Sequence, residues 1–515
     1  MDFDLAQPKL IHTAFSGYAA STPEKVAIIH GNRKINYKEL NQLSNQLAHY
    51  LLNNDVKEGD SVGICFYPCI NTLVCILAIL KIGCTYVPLD PMNPPERLKV
   101  ISNQLENLKF IFTMRETQNN FPAAQPQIII SDEFIHTLQD YPVSVPEVTV
   151  RGDNLCYIVF TSGTTGIPKA VAVRHHGWAN LLNWFRNRYL LDHQSVNLLV
   201  SSFGFDISQR SMLTPIYTGS TLVISDSKYF DPVLIGELIY KHNVKTLHLA
   251  PSSLYAIIES WPDINRLPSL RYLFIGGEAL SLPRITNWAL TTNRQCDFIH
   301  QYGVAECTDV ATSYTMSHFE RYLDEGIPLG EPVANCSVYV VDENLFPVKN
   351  GQSGELIITG AGVGAGYINN DDLNYERFIQ ITINNSKKNA YRTGDFARIR
   401  DNGEIVCIGR KDNQIKIRGI LTNLSDIENV VKTSISTVKE AIVIPYNESD
   451  SDIRLCIFLY SDIEECLRPE IKYIKNLIIN RLPLHMVPTK YQWVNSFPLT
   501  TNGKVEGSAL SEIII

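Results

Sequence analysis

No stretch of this 515-residue sequence is apolar for long enough to cross a membrane. The best candidate, residues 72–82, is about half of the roughly 20 residues that a spanning helix needs. The N-terminus, MDFDLAQPKLIHTAF, has no basic leader, and Asp2 and Asp4 interrupt any apolar run, so no secretory signal is read there. A basic face is missing as well. Lys and Arg total 45 against 53 Asp and Glu, a net charge of −8, which argues against a nucleic-acid partner. The 11 cysteines are scattered without a C-x-x-C pair or zinc spacing, so they are expected to be reduced core thiols, with neither disulfides nor metal. These absences lead to the expectation of a cytoplasmic monomer that binds no membrane.

With 45% apolar and 19% charged residues the chain can bury a large core, and its length argues for more than one domain. AIIHGNRKINY reads as two extended runs about Gly31-Asn32, YKELNQLSNQLAHYLLNN as an amphipathic helix, SVGICFYP as a buried strand and INTLVCILAILKIG as a packed helix ending at Gly83. SVNLLVSS, TGSTLVIS, VKTLHLAPS, LRYLFIGG and CDFIHQYG supply further strands with helical stretches between them. Such alternation predicts an α/β fold of layered subdomains with ligands at the strand C-terminal ends. From about Pro332 the runs CSVYVVDENLFPV, GELIITG and EIVCIGR predict a small antiparallel, β-rich subdomain. After Asp412 the pattern becomes helix and hairpin, so residues 1–411 are expected to form a large N-terminal core and 412–515 a small α+β C-terminal domain.

Residues 157–173, YIVFTSGTTGIPKAVAV, hold the chemistry-bearing composition. An apolar run breaks into Thr161, Ser162, Gly163, Thr164, Thr165 and Gly166, followed by Lys169. The glycines free backbone N–H groups to turn inward, the hydroxyls add neutral donors and the lysine brings positive charge, which together suit a polyphosphate. On composition alone a Ser/Thr/Gly-rich surface turn explains the stretch equally simply. Only two residues separate the glycines and no Ser or Thr follows Lys169, which excludes a Walker loop.

The string FTSGTTGIPKAV resembles the signature phosphate loop of the adenylate-forming superfamily, which contains acyl-CoA synthetases, luciferases and the adenylation domains of nonribosomal peptide synthetases. Further matches follow in that family's order. The resemblance implies that Thr161 to Gly166 and Lys169 hold ATP phosphates. In SFGFDIS it implies that Phe205 borders the substrate and Asp206 binds an α-ammonium, favouring an amino acid over a fatty acid. In IGGEAL and HQYGVAE it implies that Gly276 and Gly277 let the backbone approach the adenine, that Tyr302 stacks on it and that Glu306 helps to hold Mg²⁺. Where the family usually has YGPTE, this chain has Val304 and Ala305, so a threonine hydroxyl near the α-phosphate is missing. YRTGDFARIRDNGEIVCIGRKDNQIKIRG and FPLTTNGKVEG resemble further family segments, which implies that Asp395 binds the ribose with Arg410 as a second contact and that Lys504 is the catalytic lysine of a mobile lid hinged at Asp412. YVPLDPMNPPERL resembles a family segment too, and reads as a proline-set connection without ligand contact. KIRGILTNLSDIE departs from the usual KIRGxRIELGEIE at Leu421, Asn423 and Ser425, in the segment expected to face the site during thiolation.

The positions that resemble the family's specificity pocket are Asp206, Ile207, Arg210, His248, Phe274, Gly276, Gln301, Asp309 and Val310, closed by Lys504. Their polarity implies a substrate with a polar or charged side chain, because unsatisfied groups cost roughly 1 to 3 kcal/mol each. The alternative is that Arg210 and Asp309 pair and shape a smaller cavity. The implied activity is formation of aminoacyl-AMP from an amino acid and MgATP, then transfer to the phosphopantetheine thiol of a carrier protein. A D-alanine–carrier protein ligase, an acyl-CoA synthetase, and a catalytically silent nucleotide-binding protein acting through partners are the alternatives.

Overall fold

A computed structural model describes residues 8–122, 124–161, 168–278, 280–290, 296–317, 319, 321–322, 326–410, 414–417, 420–447, 453–461, 463–495, 497–498 and 507–514. Two large sheets organise the chain as far as Pro332. In one, the strands Val196–Leu199, Thr221–Ile224, Thr246–Leu249, Tyr272–Gly276 and Asp297–Tyr302 run parallel, bounded by the hairpin Val26–His30 and Arg33–Asn36 at one side and Thr312–Met316 at the other. In the other, Ser61–Cys65, Thr85–Pro88 and Leu108–Thr113 are parallel, and Leu155–Thr161 joins them before Lys169–Arg174 returns antiparallel. Both sheets are covered by helices, which is why SVGIC and TLHL are buried along their whole length instead of alternating.

The helices follow their sequence signals. Tyr37–Asn53 opens with a capping box in which Asn36 accepts from the Glu39 amide and Glu39 reaches back to Asn36. Ile70–Lys81 is apolar around its whole circumference and is correspondingly buried, and the chain leaves it through Gly83 at φ +71. Its last residue, Lys81, is buried too. The ammonium donates to Asn41 Oδ1 at 2.8 Å, Ser44 Oγ at 2.7 Å and Asn45 Oδ1 at 2.6 Å, and burial pushes it down to about 7. On the first helix, His12 meets the buried His175 ring edge-on at 5.8 Å, and burial pushes His175 down to about 3.

Beyond Pro332 the expected antiparallel subdomain is present: Cys336–Val341, Ser353–Gly360, Ser386–Ile399 and Phe378–Ile383 in order, with Ile405–Arg410 also paired to Ser386–Ile399. In the C-terminal region Glu440–Asn447 and Ile453–Tyr460 form the expected hairpin. A third strand that the sequence did not disclose, Lys490–Val494, adds parallel to Ile453–Tyr460. Ile427, Val431, Val443, Ile457, Ile474 and Ile478 pack here into a core of their own. The cysteine expectation needs one correction: Cys407, on the strand Ile405–Arg410, and Cys466, in the turn Glu465–Leu467, are exposed, although none of the 11 forms a disulfide. No helix among the described residues is long and apolar enough to cross a membrane.

Candidate functional site

Thr161 and Lys169 are cross-strand partners at the end of an antiparallel pair. Ser162, Gly163, Thr164, Thr165 and Gly166 lie outside the described residues, as do Asp412 and Lys504. Thr161 Oγ1 is buried with no hydrogen-bond partner among the described residues. The Lys169 ammonium stands 5.7 Å from the centroid of the Tyr367 ring. Tyr367 belongs to the short strand Gly366–Tyr367, which pairs with Lys169–Arg174 and so fixes that ring beside the loop's lysine.

The Tyr367 hydroxyl donates to Glu306 Oε1 at 2.7 Å and lies 2.9 Å from the Tyr391 hydroxyl. Glu306 sits in the buried turn Ala305–Cys307, where its carbonyl accepts from the Gly364 amide at 2.8 Å. Burial, together with the Glu306 charge, pushes both tyrosine hydroxyls well above their ordinary range, so they remain donors. Among the described residues no group of three His, Cys, Asp or Glu side chains can cage a metal. A Mg²⁺ held by Glu306 together with a ligand's phosphates, the mode this ion prefers, would fit the residues present.

Asp395 and Arg410 are opposed on neighbouring strands, and Arg410 Nη1 donates to Asp395 Oδ1 at 2.6 Å and to the Thr393 carbonyl at 3.1 Å. The Tyr302 hydroxyl donates to Asp395 Oδ2 at 2.5 Å. The three residues are thus one network, centred on the Asp395 carboxylate. Tyr302 is anchored by its hydroxyl end, and burial and the Asp395 charge push that hydroxyl well up.

The substrate-side residues converge as well. Asp206 opens the helix Asp206–Thr218 and accepts from the Ile207 amide at 2.8 Å. Its charge acts on Tyr157, Arg210 and Asp309, which puts it within electrostatic reach of the strand that leads into the phosphate loop. Arg210, one helical turn on, lies 3.3 Å from Asp309 and donates to Gln301 Oε1 at 2.7 Å. The pairing left open by the sequence does form. Burial pushes Asp309 up to about 7, opposed by Arg210. Phe205 precedes the helix, half-buried, and Val310 follows Asp309 into the core.

His248 stacks on Phe274 at 4.7 Å and meets Phe185 edge-on at 5.5 Å. Burial and the nearby Arg210 hold His248 well below its usual range, so it is neutral. Both of its ring nitrogens, Gln301 Nε2 and the Tyr157 hydroxyl are buried without partners among the described residues. Gly276 is set by close approach: a Cβ there would stand 2.7 Å from the Gln301 carbonyl. Gly277 turns at φ +91, and Glu278 then holds the helix Pro251–Ser260 by accepting from the Ser252 amide at 2.9 Å. Tyr157, Phe185, Tyr367 and Tyr391 escaped the reading of the sequence. Tyr157 and Tyr391 open recognised motifs and Phe185 and Tyr367 lie outside them, and an aromatic in an apolar run signals only core.

The sequence profile described as AMP-binding enzyme matches residues 15–368. The chain is 36% identical over 508 residues to one linear gramicidin synthase polypeptide of Brevibacillus parabrevis, covering 98% of this chain and 6% of that one. It is 36% identical over 504 residues to a second linear gramicidin synthase polypeptide of the same organism, covering 97% and 10%. The chain thus spans a small part of these relatives' own length. Among solved structures, an NRPS protein containing adenylation and PCP domains, bound to a vinylsulfonamide inhibitor, superposes with a TM-score of 0.85 at 25% identity, covering 98% of this chain and 84% of that one.

Proposed function

The chain belongs to the family of AMP-binding enzymes and is an adenylate-forming ligase of the nonribosomal peptide synthetase adenylation type, and on that premise we propose that it activates an amino acid to aminoacyl-AMP with release of pyrophosphate. The observation that carries this reading is the place of Asp206, a carboxylate that opens the helix Asp206–Thr218 and whose charge reaches both Tyr157, on the strand leading to Thr161, and Arg210. A carboxylate at that place suits an α-ammonium. A fatty acid offers that charge nothing.

The geometry supports a division of labour. Thr161, Lys169 and the loop between them receive the phosphates, and Asp395, Arg410 and Tyr302 hold the sugar end of the nucleotide. Glu306, which accepts from the Tyr367 hydroxyl, would hold Mg²⁺, and that ion would supply positive charge to offset the phosphates. The substrate carboxylate oxygen attacks the α-phosphorus and the bond to pyrophosphate breaks, with Lys504 bridging the meeting anions. The adenylate then passes to the phosphopantetheine thiol of a carrier protein, and a relative that carries a PCP domain supports that partner. Movement of residues 413–515 about Asp412 would expose the adenylate, and the separate core of the C-terminal region supports that division.

Arg210 and Asp309 face each other at 3.3 Å, and beside them the neutral His248 ring, Gln301 Nε2 and the Tyr157 hydroxyl are buried without a hydrogen-bond partner among the described residues. The substrate side chain is therefore polar and uncharged, able both to donate and to accept. ATP–pyrophosphate exchange across a panel of L-, D- and β-amino acids tests the reading. Exchange is expected with a neutral polar amino acid, and its loss in Lys504→Ala with ATP binding retained. Leucine or phenylalanine outperforming every polar amino acid overturns the pocket assignment, and unchanged exchange in Lys504→Ala overturns the lysine's role.

A further inference from the structure

We infer that the Tyr86 to Asp90 part of the YVPLDP run is the mount of the substrate loop, and that Asp90 is a positioning residue that fixes where the Asp206 carboxylate stands. This rests on the proposed binding of an α-ammonium by Asp206. The run touches no ligand in the reading above, yet it grips residues 202–205 at two points.

The first grip is Asp90 itself. Its Oδ2 accepts from the Ser202 hydroxyl, and the Gly204 amide donates to the same carboxylate. The Met92 amide donates to Oδ1 at 2.9 Å, which ties the carboxylate to its own turn. Contact with the loop is close: a Cβ on Gly204 would stand 3.0 Å from Asp90 Cβ. The second grip runs through Tyr86, on the strand Thr85–Pro88. Its hydroxyl donates to Gln209 Oε1 at 2.9 Å, and Gln209 Nε2 donates to the carbonyls of Phe203 at 2.6 Å and Phe205 at 3.3 Å. Phe203, 1% exposed, plugs the loop into the core between the two grips.

The chemistry of Asp90 argues for a positional role over a purely structural one. The carboxylate is buried, burial pushes it up, and a hydroxyl and two backbone amides hold it where a salt bridge would ordinarily serve. Such a group is costly in a core, where an apolar residue of similar size would pack as well. What an apolar residue would not supply is direction: three donors converging on one carboxylate fix the loop's path four residues before Asp206.

Steady-state exchange kinetics with the best amino acid of the panel decide the matter. Asp90→Ala is expected to raise the amino-acid KM about tenfold or more while the ATP KM stays within about twofold, since misplacement of a binding group is felt by its own ligand. Asp90→Asn, which keeps the volume and one acceptor oxygen, is expected to recover part of that loss. Adding Ser202→Ala to Asp90→Ala is expected to have no further effect, because the two act as one contact. An unchanged amino-acid KM, or amino-acid and ATP KM values rising in step, overturns the inference. If Asp90→Ala does not fold, Ser202→Ala on the exposed side of the contact and Tyr86→Phe carry the test, and unchanged amino-acid KM in both overturns it. A wild-type protein that exchanges with no amino acid overturns the proposed function and this inference together, whereas wild-type exchange with an insensitive KM removes this inference alone.

Discussion

Arg210 Nε and Asp309 Oδ2 stand 3.3 Å apart, with both side chains almost wholly shielded from solvent. A pair of this kind stabilises little by itself, but either half left alone is expensive. Asp309→Asn, which suits the local backbone, is therefore expected to cost about 3–5 kcal/mol in denaturant unfolding, and the double variant Arg210→Leu/Asp309→Asn about 2 kcal/mol or less. A double variant no more stable than Asp309→Asn would show that the pair is not the source of the loss.

A second prediction concerns pH and the buried His175. Its folded pKa is depressed below the unfolded value, so the unfolded chain binds more protons as the solution is acidified. Its contribution is present above about 6.5 and is lost as pH falls toward about 3. Lys81 follows the same sign at higher pH, so stability is expected to rise with pH from about 7 toward about 10.5. Asp309 has the opposite sign: its raised pKa makes stability fall as pH rises from about 4 to about 7. Thermal unfolding of wild type and His175→Leu between pH 6.5 and 4 isolates the histidine, and the variant is expected to lose on the order of 2 kcal/mol less over that span. Parallel curves would exclude His175 as a buried neutral base.

The third prediction follows from the hydroxyl that Tyr367 gives to Glu306. Tyr367→Phe keeps the ring beside Lys169 and removes that donor. The Mg²⁺ concentration needed for half-maximal exchange is expected to shift about threefold to tenfold, with Lys169-dependent ATP binding little changed. A Mg²⁺ profile that superposes on wild type would detach Tyr367 from the carboxylate proposed to hold the metal.

Much of the fold was legible because burial on both faces leaves continuous apolar runs, and runs such as SVGIC, TLHL and YLFIG became strands of the two large sheets. Lys490–Val494 was not legible: KYQWV is half-buried along its length, and its partner lies some thirty residues earlier in the chain. The site divided along the same line. Asp206, Glu306, Asp395 and Arg410 stood out by motif, whereas their partners are set by contacts that no local pattern encodes. Tyr367 reaches Glu306 across 61 residues and Ser202 reaches Asp90 across 112. A short string announces that a carboxylate is wanted, but only the folded chain says which hydroxyl steadies it.

Thr308 and Asp309 both adopt left-handed backbone angles, at φ 57 and 69. Such a conformation costs on the order of 1–2 kcal/mol for most side chains and less for Asp and Asn. Anyone retuning this enzyme toward a new monomer therefore has little latitude at position 309, where Asn or Gly is the practical alternative and branched replacements would disturb the backbone before they reshaped the pocket. His248 and Phe274 sit on ordinary strand backbone, so mutagenic libraries would do better to begin there.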